Sequence, residues 1–407
     1  MTFEELYVKL TKDKANGKAL DLTGLNYDQN HMDCLLHPDK HSLVWKIREC
    51  NCSDKDCVSS CLFNAIEIKN GSISFKNENC TGCYECIDAC KEHNLEQSHD
   101  TIKAIEILKE SKEKVYALMA PAFVGQFGME ATPGKIRTAL KQLGFAGMIE
   151  VAAFADILTL KEALEFRKNI ENDMQFQLTS CCCPVWISLI KRNYRDIVNH
   201  LPPSVSPMIA CGRIVKELHP GCNTIFIGPC LAKKAESKER DLIGAIDCVL
   251  TFQELKDIFN AFQVNFSKLE ENTKEHSSTA GRLYARTGGV SEAVSFSVDR
   301  LQAKHKLRPV YANGVKECKE LLNSILNNDI KGNFYEGMGC LGGCVGGPKS
   351  VIDEDEGKEF VNQYADKASY HTPLDNPYVI EIIHRLNFHT VNDFLEKSDI
   401  LTRYFTD

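Results

Sequence analysis

Hydrophobic and polar residues follow two different patterns along the chain, and the change comes near residue 112. Beyond that point, short apolar runs predict strands at residues 116–124, 148–155, 176–178, 224–227 and 248–252. Between them, apolar residues recur every three to four positions, which predicts helices at residues 157–172, 187–200 and 253–262. Strands that alternate with helices are typical of an α/β fold with largely parallel sheets.

The first quarter of the chain has shorter elements. Residues 65–69 and 72–76 are strand-like and flank Asn70-Gly71, which is a hairpin turn signal. The longest apolar-rich run, residues 115–125, is too short to span a bilayer. Residues 1–20 mix Glu, Lys and Asp without an apolar signal core, so we expect no export signal and a cytoplasmic protein.

Composition and charge are those of an ordinary soluble protein of two or three domains, except for the cysteines. Of the 407 residues, 43% are hydrophobic and 26% are charged. The net charge of −8 argues against nucleic acid or a membrane surface as the main partner. The chain has 19 cysteines. Because the cytosol keeps thiols reduced, so many cysteines in an intracellular chain indicate metal binding more often than disulfides.

One cysteine set has the spacing C-x2-C-x2-C-x3-C and consists of Cys80, Cys83, Cys86 and Cys90. Three closely spaced thiolates of such a run can bind one four-iron cluster, and the fourth can bind a second cluster. A four-cysteine zinc site is the alternative interpretation. Zinc usually binds two separate C-x2-C pairs, so the spacing favours the iron–sulfur cluster.

A second set lies just upstream and keeps the final x3 spacing: Cys50, Cys52, Cys57 and Cys61. With both sets, residues 45–95 resemble the bacterial two-cluster ferredoxins, which implies two 4Fe-4S clusters bound by the eight cysteines. Leu62 and Lys91 stand where that family usually has proline. We interpret Cys34, which lies among three histidines, as a small buried side chain in preference to a further ligand.

The remaining grouped cysteines each follow an apolar, strand-like run. Cys181, Cys182 and Cys183 come after residues 176–178, Cys230 after 224–227, and Cys340 and Cys344 after 333–338. Open α/β sheets bind ligands outside the carboxyl ends of their strands, so we expect four cysteines of these loops to converge on one buried cluster. Six glycines in residues 337–348 permit close backbone approach there. Ordinary burial is the alternative and accounts well for Cys211, Cys222, Cys248 and Cys318.

These loops resemble the three signature segments of the iron-only (FeFe) hydrogenases. Residues 178–186 compare with T-S-C-C-P-G-W, residues 228–236 with M-P-C-x-x-K-x-x-E, and residues 337–348 with M-A-C-P-G-G-C. Residues 119–122 and 287–293 match two supporting stretches, and the resemblance extends over residues 112–407. It implies a helical lead at 1–44, a small α+β ferredoxin-like domain at 45–97, a two-lobed catalytic domain with mostly parallel sheets around a buried cluster at 98–375, and a helical extension at 376–407.

The resemblance also implies a cofactor, the H-cluster, in which a 4Fe-4S cluster is joined to a two-iron unit carrying carbon monoxide and cyanide. Its ligands in this chain would be Cys183, Cys230, Cys340 and Cys344, and Cys344 would bridge the two parts. The neighbouring cofactor-binding residues would be Pro121, Ala122, Gly342 and Gly343. Lys233 would complement an anionic cyanide and Glu236 would hold Lys233 in place. Lys234 fits a solvated surface lysine better.

A proton relay is implied as well. Cys182 matches the family's non-ligating cysteine, which passes protons to and from the site. Glu162 and Glu165 match its two relay glutamates and share one predicted helix face; without the resemblance they would indicate a solvated acidic face. Cys181 receives no role. The chain departs from the family pattern at Pro202, Gly228 and Leu341, where the family has serine, methionine and proline.

The implied function is the reversible reduction of protons to hydrogen. Ferredoxin or a similar small redox carrier would exchange electrons through the two N-terminal clusters, and hydrogenase maturation proteins would be further partners. Two alternatives stay open: a hydrogenase-like iron–sulfur assembly protein without the two-iron unit, and a hydrogen sensor. Assembly proteins typically lack a full relay and end in tryptophan. This chain has Cys182, Glu162 and Glu165 and ends in Tyr-Phe-Thr-Asp, so we expect an enzyme.

Overall fold

The computed structural model describes residues 1–18, 23–172, 174–397 and 399–405. Two helices, α1 (Phe3–Ala15) and α2 (Gln29–Leu36), lie within the predicted helical lead. Thr2 and Glu5 form a capping box at the start of α1. Apolar side chains of α1 and α2 pack with Trp45 and Ile102 in one small core, so these helices bridge the residues on either side of the cysteine-rich region.

The cysteine-rich region contains two antiparallel strand pairs. Strand β1 (Val44–Lys46) pairs with β4 (Leu95–Gln97), and β2 (Ile66–Lys69) pairs with β3 (Ser72–Phe75). The β2–β3 turn is Asn70-Gly71, where both residues have a positive φ, and this confirms the predicted hairpin. Each cysteine set also includes one short helix, α3 (Asp56–Ser59) or α4 (Glu85–Asp88).

Two parallel sheets form the centre of the larger part of the chain. The first has four strands in the order β6 (Gly147–Glu150), β5 (Val115–Met119), β8 (Asn223–Gly228) and β9 (Cys248–Thr251). The second has three, in the order β10 (Pro309–Asn313), β11 (Phe334–Met338) and β7 (Gln177–Leu178). Every neighbouring pair in both sheets is parallel, which confirms the predicted α/β fold.

Helices surround both sheets. The longest, α7 (Ala152–Asn169), packs against several others and is buried over most of its length. The remaining helices are α5 (Thr101–Glu110), α6 (Pro133–Gln142), α8 (Pro184–Asn193), α9 (Pro207–Leu218), α10 (Ala232–Glu236), α11 (Phe252–Ala261), α12 (Thr279–Leu283), α13 (Gly289–Arg300), α14 (Gly314–Leu326), α15 (Glu354–Asp366), α16 (Pro377–Arg385) and α17 (Val391–Lys397).

Four predicted elements have bounds that differ by more than two residues in the structure, and one of them is the helix predicted at 157–172, which is α7 (Ala152–Asn169). The strand predicted at residues 148–155 ends at Glu150, and Ala152 already begins α7; an apolar run in a fully buried helix has no period that distinguishes it from a buried strand. The strand predicted at 116–124 ends at Met119, because Pro121 begins a 3-10 turn. The helix predicted at 187–200 is α8 followed by a separate 3-10 turn, Arg195–His200.

The main hydrophobic core lies between the four-stranded sheet and the helices packed on it, and a second core surrounds α8 and the three-stranded sheet. Cysteines from both sheets' loops lie where the two cores meet, since Cys183 contacts both. Among the residues that the structure describes, we find no helix with the length and apolar character that a membrane span requires.

Candidate metal centre

Four cysteines that follow strands of the two parallel sheets converge on one group. Cys183 follows β7 and immediately precedes Pro184 at the start of α8, and Cys230 follows β8. Cys340 and Cys344 follow β11. Burial raises the pKa of Cys340 well above its usual range, and the nearby sulfurs of Cys230, Cys183 and Cys344 raise it further. The structure therefore brings the four predicted ligands of the buried cluster into one group.

Accessibility separates these cysteines from the others in the larger part of the chain. All four residues have intermediate solvent exposure, as Cys182 has. The cysteines that the sequence assigned to ordinary burial are buried: Cys211, Cys222, Cys248 and Cys318. Burial and neighbouring sulfurs raise the pKa of Cys230 to about 11 and of Cys344 to about 12. Such thiols become thiolates when a metal binds them, so the set suits a thiolate-bound cluster.

The glycine-rich loop between Cys340 and Cys344 packs closely on the segment before α13. The Thr287 N–H donates to the Gly342 carbonyl oxygen at 3.0 Å. Gly343 has φ of +84°, and a Cβ there would lie 2.7 Å from the Thr287 nitrogen. Gly343 is therefore required by contact with the backbone of residues 286–287, whereas a Cβ at Gly342, which also has a positive φ, would overlap the Glu354 side chain.

A buried carboxylate anchors that same segment and was missed by the sequence reasoning. Glu336 in β11 is fully buried and accepts hydrogen bonds from the Gly288 N–H at 2.9 Å and the Ser291 N–H at 2.7 Å. These are free N–H groups at the start of α13, where a negative charge is favourable. The available signal was a charged residue inside the otherwise uncharged run Phe-Tyr-Glu-Gly-Met.

Pro121 and Ala122 lie at the start of the 3-10 turn that follows β5, next to the end of β8. The Ala120 N–H donates to the Ile227 carbonyl at 2.9 Å, which ties this turn to the strand leading to Cys230. A Cβ at Gly228 would lie 3.1 Å from the Ala120 Cβ and 2.8 Å from the Phe226 ring. A larger side chain at position 228 would therefore need Phe226 or Ala120 to move.

Lys233 is buried beside the four cysteines. Its ammonium donates to the Glu236 carboxylate at 2.7 Å and to the Cys182 carbonyl at 3.3 Å. Burial alone disfavours the charged form, but Glu236 and the neighbouring sulfurs of Cys230 and Cys344 outweigh it and raise the pKa of Lys233. The side chain is therefore a buried cation that Glu236 holds.

The interpretation of Lys234 as a solvated lysine is wrong. Its side chain is 1% exposed, and its ammonium lies 2.7 Å from the Asp100 carboxylate and 2.9 Å from that of Glu254. It also donates to the Ser98 carbonyl at 2.8 Å. Both lysines of the pair Lys233-Lys234 point into the protein because α10 is covered on two sides, which the sequence of one short helix does not reveal.

Of the two glutamates on α7, one is buried and one reaches solvent. The Glu162 carboxylate accepts hydrogen bonds from Ser180 Oγ at 2.8 Å and Gln177 Nε2 at 2.6 Å, and burial raises its pKa. Glu165 has a 24% exposed side chain and lies 3.6 Å from the Lys161 ammonium. A solvated acidic face is therefore wrong for Glu162.

The three adjacent cysteines have different surroundings. Cys181 is fully buried with its sulfur 3.6 Å from the Tyr284 hydroxyl, and it also interacts with the Glu162 carboxylate. Cys182 is partly accessible and has Thr179 Oγ1 at 3.9 Å from its sulfur. Cys183 accepts a hydrogen bond from the Gly339 N–H at 3.3 Å, which joins two of the cysteine loops. The described contacts of Glu162 thus lead to Cys181 and Ser180.

The cysteine-rich residues 45–97, here called the small region, contain eight cysteines in two spatial groups. Each group takes three cysteines from one sequence set and one from the other. Burial raises the pKa of Cys57, and the sulfurs of Cys90, Cys50 and Cys52 raise it further. Burial raises the pKa of Cys83 to about 12, and Cys80 and Cys61 add to the rise. One group is therefore Cys50, Cys52, Cys57 and Cys90, and the other is Cys61, Cys80, Cys83 and Cys86. We call the second the proximal group, because it lies beside the loop that carries Cys230, and the first the distal group.

The two halves of this region have the same local geometry. The N–H of Ala65 donates to Cys61 Sγ at 3.1 Å, and the N–H of Asn94 donates to Cys90 Sγ at 3.3 Å, in each case from four residues ahead. A left-handed residue, Lys55 or Tyr84, precedes each short helix. The loops that contain Leu62 and Lys91 therefore share one local geometry.

The proximal group lies against the loop that carries Cys230. A Cβ at Gly82 would lie 2.9 Å from the Leu231 carbonyl carbon, so the two backbones are in close contact. Cys83 packs in the same apolar cluster as Cys183 and Cys230. Within the described residues, no three His, Cys, Asp or Glu side chains converge on a point that would hold a single metal ion. The thiolates of a cubane bind different irons and do not need such a point.

The amino-acid sequence is similar to one protein family and to several known proteins. Residues 113–348 match the family described as the iron-only hydrogenase large subunit, C-terminal domain. The chain is 30% identical over 303 residues to iron hydrogenase 1 of Clostridium pasteurianum, which covers 62% of this chain and 52% of that protein. It is 22% identical over 228 residues to the cytosolic Fe-S cluster assembly factor NAR1 of Yarrowia lipolytica, with 48% and 45% covered.

Among solved structures, apo FeFe-hydrogenase HydA1 from Chlamydomonas reinhardtii superposes with a TM-score of 0.58 at 19% identity, covering 74% of this chain and 97% of that one. At this identity the likeness shows a shared fold. The chain spans about half the length of the Clostridium protein, at 52%.

Proposed function

The chain belongs to the iron-only hydrogenase family, and from this premise we propose that it catalyses the reversible reduction of protons to hydrogen. The family match covers both parallel sheets and all three cysteine loops. The family's relatives include hydrogenases and an iron–sulfur assembly factor, so the proposal depends on what surrounds the four cysteines.

The donor set fits the H-cluster. Cys183, Cys230, Cys340 and Cys344 would hold its four-iron part, and Cys344 would also join the two-iron unit. When bound, the H-cluster supplies the redox-active irons at which protons and electrons combine. The backbone contacts of Gly342 and Gly343 with the segment before α13 keep the Cys344 loop in a fixed shape. Pro121 and Ala122 would border the same space from the end of β5.

Lys233 is the observation that carries the proposal. A lysine ammonium has three N–H donors, and the described contacts with Glu236 and Cys182 use two of them. The cation lies close enough to Cys344 for that sulfur to raise its pKa. A buried cation beside the bridging cysteine suits an anionic ligand such as cyanide. A plain cubane with four thiolates has no cyanide for that cation to bind.

Protons would reach the site through Cys182. Cys182 is next to Cys183, and burial raises the pKa of its thiol, so the thiol can hold a proton close to the cofactor without ligating it. Glu162 and Glu165 would continue the route along α7, from a buried carboxylate to one that contacts solvent. Pro202 offers no proton donor, so the segment between these carboxylates would use a different group from the family's serine.

Electrons would enter through the small region. The distal and proximal cysteine groups would each hold one 4Fe-4S cluster, and the proximal one adjoins the Cys230 loop. Ferredoxin or a similar small carrier is the proposed partner, together with hydrogenase maturation proteins that supply the two-iron unit. A cytoplasmic location agrees with reduced thiols.

A test requires anaerobic expression with and without hydrogenase maturation proteins. We expect infrared bands of carbon monoxide and cyanide and hydrogen evolution from a reduced viologen only in the matured protein. Full iron and sulfide without these bands would contradict the proposal and favour the assembly protein that the likeness to NAR1 suggests. Bands with negligible turnover would instead favour a sensor. Cys344→Ala is the control, because it should lose the bands and the activity together.

A further inference from the structure

A buried ionic cluster holds the segment that follows the small region against two helices of the larger part of the chain. The Lys234 ammonium lies 2.7 Å from the Asp100 carboxylate and 2.9 Å from the Glu254 carboxylate. The three side chains are 1%, 6% and 0% exposed, respectively. Two carboxylates and one ammonium without solvent remain charged only if they stay together, so the three residues act as one unit.

Each member belongs to a different segment. Asp100 immediately precedes α5 and follows β4 by three residues, Lys234 is in α10, and Glu254 is in the first turn of α11. Glu254 also accepts a hydrogen bond from the Asp100 N–H at 2.6 Å and from the Thr251 N–H at 2.7 Å. The Ser98 carbonyl accepts from Lys234. The cluster therefore fixes the exit of the small region to both helices.

The segment that Lys234 anchors also separates the two groups of sulfurs between which electrons would pass. α10 begins at Ala232, two residues after Cys230, and its first backbone atoms contact Gly82 of the proximal cysteine loop. None of the described hydrogen bonds or ion pairs of Lys234 involves a cysteine sulfur, and Cys248, on whose thiol its charge acts, belongs to neither group. Its influence on these groups is thus exerted through the position of α10.

We propose that Lys234 is a positioning residue for electron transfer, which holds the proximal group at a fixed distance from the buried group. This inference rests on the proposed function, because it assumes a cluster at each group. Electron tunnelling slows exponentially as the distance between redox centres grows. A small displacement of α10 would therefore slow transfer between the clusters while each cluster stayed intact.

The N-terminal helix α1 contacts α5 and α11 close to the ionic cluster. The Tyr7 hydroxyl lies 2.8 Å from Thr101 Oγ1 and donates to the Asp257 carboxylate at 3.0 Å. Thr101 is next to Asp100, and Asp257 is one turn along α11 from Glu254. Because α1 also packs on Trp45 and Ile47 of the small region, we expect the loss of Lys234 to displace α10 without detaching that region.

The test compares three variants of the full chain, reconstituted anaerobically with three 4Fe-4S clusters and no two-iron unit. Lys234→Met removes the cation. The triple variant Asp100→Asn, Lys234→Met, Glu254→Gln removes all three charges and keeps side chains of similar shape. Because it leaves no unpaired buried carboxylate, we expect it to fold even if the single variant does not. Lys238→Met is the matched control, because Lys238 lies four residues further on, is 41% exposed and pairs with Asp39 at the surface.

Two measurements separate positioning from general damage: iron content, and the rate at which flash-reduced N-terminal clusters reduce the buried cubane. We expect unchanged iron and a transfer rate lowered several-fold in the triple variant, because tunnelling slows exponentially with the added distance between the clusters. Lys238→Met should match the parent. In matured protein, the isotope exchange between H2 and D2O that the buried site catalyses should stay close to the parental rate.

An unchanged transfer rate in the triple variant with all clusters present would overturn the inference. Loss of iron together with transfer in that variant would also overturn it, because Lys234 would then be a folding residue only. Absence of transfer in the parent would contradict the proposed electron route itself and the inference with it. A parent that transfers electrons but makes no hydrogen would contradict the proposed activity and leave the Lys234 result valid.

Discussion

The Glu162 carboxylate accepts a hydrogen bond from the Ser180 hydroxyl at 2.8 Å, across the gap between α7 and the loop that carries the three adjacent cysteines. The Ser180 N–H reaches the same oxygen at 3.2 Å. A carboxylate that receives donors from that loop can hold a proton on the proposed route and can also fix the loop. The first two predictions separate these roles.

Replacing Glu162 by glutamine should keep the loop and lower hydrogen turnover. The amide retains an acceptor for Ser180 but cannot pass a proton, and a positioned acid–base group contributes about 10²–10⁴-fold. Glu165→Gln should have a smaller effect, since its 24% exposed side chain leaves water as a substitute. Proton-reduction assays normalised to iron measure both. Parental turnover in Glu162→Gln would mean that the carboxylate only fixes the loop.

The three adjacent cysteines should respond differently to substitution. Cys183→Ala should lose the buried cluster, because a ligand is removed. Cys182→Ala should keep all iron and the infrared bands but lose turnover by about 10²–10⁴-fold, since a methyl group carries no proton. Cys181→Ser should stay active, because a hydroxyl can bond to Tyr284 and Glu162 in place of the thiol. Full activity in Cys182→Ala would assign proton transfer to another group.

Iron analysis tests the cysteine groups independently of activity. The unmatured chain should bind roughly twelve irons, as three four-iron clusters. Cys83→Ala should lower this by about one cluster and abolish ferredoxin-linked activity while sparing isotope exchange at the buried site. Cys34→Ala is the matched control, because Cys34 is a buried cysteine of the N-terminal helices with no metal role assigned. An iron content near about eight in the parent would remove the third cluster.

Gly343→Ala should disrupt the Cys340–Cys344 loop. The new Cβ would lie 2.7 Å from the Thr287 nitrogen, in addition to the unfavourable positive φ. Gly244→Ala isolates the second effect, since Gly244 also has a positive φ of +89° but no atom within 4 Å of where its Cβ would stand. Strain alone costs roughly 1–3 kcal/mol. We expect loss of iron and a large fall in Tm only for Gly343→Ala; equal behaviour of both variants would contradict the proposed clash.

Short cysteine spacing predicts the two clusters of the small region. The buried group, which extends from Cys183 to Cys344, was predicted from the positions of cysteines after strands and from the family resemblance. The parallel sheets were predicted from hydrophobic periodicity, because it distinguishes strands from helices and showed that the two alternate. Lys234 and Glu336 could not be assigned in this way. Each has partners that are distant in sequence and lie in another element, and their burial depends on how helices α10 and α13 pack. Local patterns do not contain that information.

The crossed grouping in the small region has a consequence for how it is assembled and how it fails. Cys61 lies with the three cysteines of the later set, and Cys90 with those of the earlier set. Each bound cluster would therefore tie both halves of the region into closed loops, and neither half could be completed before the other has been synthesised. Oxidative loss of a single cluster should then release strands from both halves at once. The two clusters should accordingly appear and disappear together, as a single cooperative transition, during metal uptake and during exposure to air.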